Sequence, residues 1–144
     1  MRLSEFFEKR LLRKIAPDMQ KTTRSLEISK KYLDSSTVLL KTGSLNFVIV
    51  AAYTSMFHAA RALLYKDGIQ EKSHYAVFAY IKAKYSEEIG KDLIFEFNTA
   101  REQRHEGLYG IEYDFDKDDV TSIIKAATRF YKKTSEIIGQ QSRK

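Results

Sequence analysis

The sequence predicts an all-α fold: an up-and-down bundle of four to five long helices with a short N-terminal helix. Three observations lead there. Apolar residues recur at three- and four-residue spacing along almost the whole chain. The 144 residues hold one proline and six glycines, which excludes collagen-like and Pro/Gly-rich disordered classes. The stretch LNFVIVAAYTSMFHAARALLY (45–65) is apolar on nearly all sides, as a buried central helix is.

The elements follow in chain order. Ser4 to Ala16 reads as a short helix stopped by Pro17. Asp18 caps a second helix that runs to about Lys41 and is closed by Gly43. Its apolar stripe is Met19, Leu26, Leu33 and Leu40, widened by Ile28, Tyr32 and Leu39. Ser44 caps the third helix, Leu45 to Lys66, which ends at Asp67-Gly68. Residues 67–73 read as a loop. A fourth helix covers about His74 to Tyr85. A fifth starts near Ser86-Glu87-Glu88, with a break at Gly90, and runs to about Leu108. Residues 107–116 form a turn region. Asp116 or Asp118 caps the last helix, Val120 to Ile138, whose stripe is Val120, Ile123, Ile124, Ala127, Phe130, Tyr131, Ile137 and Ile138. The length fits one domain over 1–144, with 1–16 as an N-terminal extension and 139–144 as a flexible tail.

Composition narrows the chemistry. The absence of cysteine excludes disulfides, thiolate metal sites and a cysteine nucleophile. The N-terminus is charged throughout, unlike a secretory signal, so a cytoplasmic chain with no membrane span is expected. The net charge of +6 is uneven. Residues 86–119 carry eleven Asp/Glu against four Lys/Arg, and the rest of the chain is basic. A basic balance suits phosphate contacts, although lysine-rich helical surfaces also produce it.

Phosphate-binding glycine loops, HExxH and GxSxG are absent, and three histidines on separate elements predict neither a metal site nor a cofactor. The densest chemistry lies on the fifth helix. Arg101 and His105 are four apart and share a face, and Arg104 adjoins them. A histidine that removes a 2′-OH proton and arginines that hold the phosphorane suffice to cut RNA without a metal. The alternative is structural: Glu102 and Glu106 pair with these cations. His58, beside Arg61 on the buried helix, reads as a satisfied core histidine, and His74 as a helix-start residue that caps or packs. Tyr53, Phe57, Phe78, Phe97, Phe130 and Tyr131 read as core. Tyr109, Tyr113 and Phe115 either flank a nucleotide or close the bundle end.

The stretch from Ala51 to Ile69, followed by Lys72 to Ile81, resembles the HEPN superfamily, specifically its small prokaryotic members. The matching positions include Tyr53, the run from Met56 to Leu64, Lys72 and His74, and an Arg followed five residues later by Tyr (Arg104 and Tyr109). The resemblance implies a helical bundle, commonly a homodimer, often paired with a minimal nucleotidyltransferase as a toxin–antitoxin system. Active members are metal-independent RNases whose signature is Arg, four to six residues, then His. Here three residues separate Arg101 from His105. The candidate catalytic residues are therefore His105, Arg104 and Arg101, and the candidate binding or positioning residues are Tyr109, His74 and Lys72. Three functions follow: a metal-independent RNase, a non-catalytic module that binds a nucleotide or a nucleotidyltransferase, or a plain helical scaffold with no small-molecule site. If such a partner modifies the chain, Tyr109 is the expected acceptor. Intact-mass measurement after co-expression should then show one added group that a Tyr109→Phe chain lacks.

Overall fold

The computed structural model describes residues 2–109 and 114–142. The side chains of 107, 109 and 140–142 also lie outside the described set. Among the described residues the order is α1 (Leu3–Glu8), β1 (Leu12–Lys14), α2 (Met19–Thr42), α3 (Leu45–Asp67), β2 (Ile69–Glu71), α4 (His74–Ile89), α5 (Lys91–Tyr109) and α6 (Lys117–Ser142). The fold is the expected all-α bundle.

Helix α3 occupies the centre, against α2, α4, α5 and α6. Thirteen of its 23 residues are buried, among them Val48, Ile49, Tyr53, Met56, Leu63 and Leu64. Each large side chain so buried contributes about 1.5–3 kcal/mol. By length and composition α3 could cross a membrane, yet 67% of its apolar window is buried inside the bundle, as befits a core helix.

Helix α2 begins and ends as its sequence demands. The Asp18 carboxylate accepts from the Lys21 amide at 3.0 Å, and Gly43 closes the helix at φ 78°. Its packing face holds the expected stripe in part, with Leu33 buried and Leu26, Leu39 and Leu40 packed against the core. Thr22, Ser25, Ser29 and Ser36 are buried beside Leu33, whereas Met19 and Tyr32 are exposed. Small side chains let α2 approach α3 closely. The Ser29 hydroxyl donates to the Ser55 carbonyl at 2.7 Å, so the buried hydroxyl is satisfied.

Four other expectations are corrected. The first helix does not reach Ala16. It stops at Glu8, Arg10 takes a left-handed turn (φ 59°), and Leu12–Lys14 form a strand. The supposed 67–73 loop holds its partner, antiparallel, with Leu12 opposite Glu71 and Lys14 opposite Ile69. Leu12 is 1% exposed, and three residues are too few for periodicity to separate strand from helix. Ser86-Glu87-Glu88 end α4 instead of starting α5, because Gly90, at φ 101°, makes the break. The Ser44 side chain makes no cap bond and pairs instead with Thr42 Oγ1 at 3.0 Å. Helix α6 starts at Lys117, capped by Asp116, whose carboxylate accepts from the Asp119 amide at 2.8 Å. Its apolar stripe packs as expected, with Val120, Ile123, Ala127, Phe130, Ile137 and Ile138 buried.

Two junctions fix the end of α3. The Asp67 carboxylate accepts from the Tyr80 and Tyr85 hydroxyls at 2.9 and 2.6 Å and pairs with Lys66 at 2.8 Å. Gly68 (φ 76°) then turns the chain while its carbonyl accepts from the Ile15 amide at 2.9 Å. A Cβ at Gly68 would lie 2.6 Å from the Ile15 carbonyl oxygen. At Gly43 nothing lies within 4 Å of a Cβ. Gly68→Ala is thus expected to cost about 2 kcal/mol or more, and Gly43→Ala about 1 kcal/mol. Urea unfolding of both variants checks this; equal losses would show that the ribbon accommodates the Cβ.

A candidate anion-binding site between α4 and α5

Helix α5 carries Arg101, Arg104 and His105 at its C-terminal half, and α4 opens with His74 against them. The Ser73 side chain caps α4 by accepting from the Ala76 amide at 3.0 Å, which fixes His74 as the first helical residue. His74, Arg101, Arg104 and His105, with Glu102 and Glu106, line an open pocket of about 350 Å³.

Each polar group is held differently. Arg101 is half-buried. Its Nε and Nη2 donate to Asn98 Oδ1 at 3.2 and 3.1 Å, and its guanidinium lies 5.1 Å from the Tyr75 ring centre. Glu102 stands 4.0 Å away and is exposed, a weak ion pair. Arg104 lies 5.8 Å over the Tyr53 ring. No carboxylate comes within ion-pair distance of Arg104 among the described residues. His105 is exposed at the rim.

His74 is the most constrained member. Its Nδ1 is 2.8 Å from the Tyr53 hydroxyl, and its ring stacks on Phe57 with centres 4.2 Å apart. Tyr53 itself is 0% exposed and stacks on Phe97. Burial, then the charges of Arg104, Arg101 and Arg61, push the His74 pKa below its ordinary 6.5. Burial also raises the Tyr53 pKa, with Arg104 and Arg101 opposing.

The remaining sequence candidates fall elsewhere. Lys72 lines a separate pocket with Arg10, Arg13, Gln70 and Glu71. The Tyr109 side chain and Tyr113 lie outside the described residues. Phe115 is buried and joins the core. His58 is not a satisfied core histidine. It is half-buried, stacks on exposed Tyr32 with ring centres 5.8 Å apart, and its buried Nδ1 has no hydrogen-bond partner among the described residues. Burial, then Arg61 and His74, lowers its pKa to about 4. Arg61 pairs with Glu71 at 2.9 Å, and the Glu71 pKa is raised, chiefly by burial.

Sequence reading missed Tyr53, Tyr75 and Asn98 as parts of this site. Tyr53 did leave a signal, because a tyrosine at a fully apolar position needs a partner for its hydroxyl. The other two are surface polar and aromatic residues until α4 and α5 are brought together. Among the described residues, no group of three or more His, Asp or Glu is placed to hold a metal ion.

A protein-family model described as "HEPN domain" matches residues 22–138. Three relatives are proteins called UPF0332. One from Pyrococcus horikoshii is 40% identical over 58 residues, 40% of this chain and 41% of that protein. One from Thermotoga maritima is 26% identical over 112 residues, 76% of this chain and 85% of the relative. One from Archaeoglobus fulgidus is 33% identical over 91 residues, 62% of this chain and 72% of the relative.

The depressed His58 pKa has a definite sign. The unfolded chain binds the proton near pH 6.5, whereas the folded chain resists it until about 4. Stability is therefore complete above pH 6.5 and is lost as pH falls toward 4. His74 acts in the same direction, so His58→Gln should make this decline shallower without abolishing it. Urea midpoints measured from pH 7.5 to 4 check this; an unchanged slope would show that His58 is not held neutral.

Proposed function

This chain belongs to the HEPN family, and we propose that it binds the phosphodiester backbone of RNA at the α4–α5 pocket and cleaves it without a metal. One observation carries the reading. The pocket gathers two guanidiniums and two imidazoles, and its carboxylates are confined to Glu102 and Glu106. Guanidiniums bind phosphate through paired hydrogen bonds, and an imidazole exchanges protons near neutral pH.

The reaction uses these groups as follows. His105 takes the proton of a ribose 2′-OH. The 2′ oxygen attacks the adjacent phosphorus, and Arg104 and Arg101 hold the charge that accumulates on the phosphorane oxygens. The bond from phosphorus to the 5′ oxygen breaks, that oxygen takes a proton from water, and the hydroxide so formed takes the proton held by His105. The products are a 2′,3′-cyclic phosphate and a 5′-hydroxyl end. The basic surfaces outside residues 86–119 supply sequence-independent affinity for the strand.

A second reading is a non-catalytic module that binds a nucleotide, pairs with itself as a homodimer or docks a minimal nucleotidyltransferase in a toxin–antitoxin pair. The observation that favours it is exposed apolar surface. Phe95 is 71% exposed beside a groove shared with Ile123 and Ala126, and Phe47 is 64% exposed.

RNA cleavage in excess EDTA separates the two. The purified chain should cut RNA, and His105→Ala should lower the rate about 10²–10⁴-fold while unfolding at the same temperature. Equal cleavage by both chains would remove His105 from the chemistry. No cleavage by either, together with a complex on co-purification with a nucleotidyltransferase, would establish the module reading.

A further inference from the structure

The Tyr53–His74 hydrogen bond determines which ring nitrogen of His74 carries a proton. The Tyr53 phenol is wholly buried, and His74 Nδ1 is its hydrogen-bond partner at 2.8 Å. The rings around the phenol, Phe57 and Phe97, offer no acceptor. A buried hydroxyl whose proton has no acceptor is strongly disfavoured, so the phenol donates and Nδ1 accepts. An imidazole nitrogen that accepts carries no proton of its own. The ring is also kept neutral by burial and by Arg104, Arg101 and Arg61. A neutral imidazole that accepts at Nδ1 bears its proton at Nε2. Nε2 has no protein partner among the described residues, and His74 lines the pocket.

We propose that Tyr53 is a positioning residue that locks His74 as the Nε2–H tautomer, making it a fixed, uncharged hydrogen-bond donor to a phosphate oxygen in the α4–α5 pocket. This rests on the phosphate-binding reading above. It divides the labour between the two histidines of the pocket. His105, exposed at the rim, is the group assigned to take the substrate's 2′-OH proton. His74 neither gains nor loses one near neutral pH and serves as a preorganised donor beside Arg101 and Arg104. The stacking of His74 on Phe57 and the position of Arg104 over Tyr53 hold the donor and the cation on one rigid platform.

The test reads the ring nitrogens directly by ¹⁵N NMR of the full chain at pH 7, with inorganic phosphate as the probe. The wild-type His74 should show an unprotonated Nδ1 and a protonated Nε2, and added phosphate should move the Nε2 signal. Tyr53→Phe keeps the buried ring and removes the proton donor. It should populate the Nδ1–H form and weaken phosphate about three- to tenfold, the share of one neutral hydrogen bond. A protonated Nδ1 in the wild type overturns the role of Tyr53, whatever phosphate does. This arm needs no variant, so it decides even if Tyr53→Phe fails to fold. The Nε2–H tautomer with no response of Nε2 to phosphate overturns the donor role. If phosphate also leaves the Arg104 and His105 signals unmoved, it is the phosphate-binding reading itself that has failed.

Discussion

Helix α3 must bury most of its surface, and the rest of the bundle is arranged to meet that demand. An amphipathic helix needs cover on one face. A 23-residue helix with apolar side chains all round needs several neighbours at once. Helices α2, α4, α5 and α6 supply them. The neighbour along α2 must come close, which is why its inner face carries Thr22, Ser25, Ser29 and Ser36 between its leucines. Larger side chains there would hold α2 away from α3 and open voids along the seam.

The same demand creates the site. A helix buried over most of its surface leaves few of its polar groups open to water, and most of these find a protein partner. Ser55 bonds with Ser29, Asp67 accepts from two tyrosines, and the Tyr53 hydroxyl reaches out of the core to His74. The last of these contacts touches the surface. It ties a residue of the hydrophobic centre to the first turn of α4, where Arg101 and Arg104 also arrive. The pocket is thus backed by the buried core. The rings offer their negative faces to Arg101 and Arg104, which offsets part of the cost of gathering two cations there.

The spacing of Arg101 and His105 has a geometric consequence. Three intervening residues place them one turn apart on one face of α5, and both line the pocket. A fourth intervening residue would rotate the histidine by about 100°. The acidic character of the 86–119 segment does not cancel the pocket. Arg101 is engaged by the neutral Asn98 side chain, and Glu102 approaches it only at 4.0 Å. Helix α5 thus carries many acids and still presents cations where α4 meets it.

The sequence by itself determined the helical class, the central place of α3, the glycine stops at Gly43 and Gly68, the Asp18 cap, the apolar stripe of α6 and the Arg/His cluster of α5. All of these depend on residues close together in the chain, where periodicity and capping act. Tertiary structure decided what depends on distant residues. Leu12–Lys14 became a strand because Ile69–Glu71 lay ready to pair with it. Ser86-Glu87-Glu88 stayed in α4 because the chain bends at Gly90. Lys72 went to one pocket and His74 to another, although only Ser73 separates them, because a strand ends before the first and a helix begins at the second. Tyr53, 21 residues from His74 in the chain, became its hydrogen-bond partner only when α4 packed on α3. A buried hydroxyl announces in sequence that it needs a partner, and only the packing names which one.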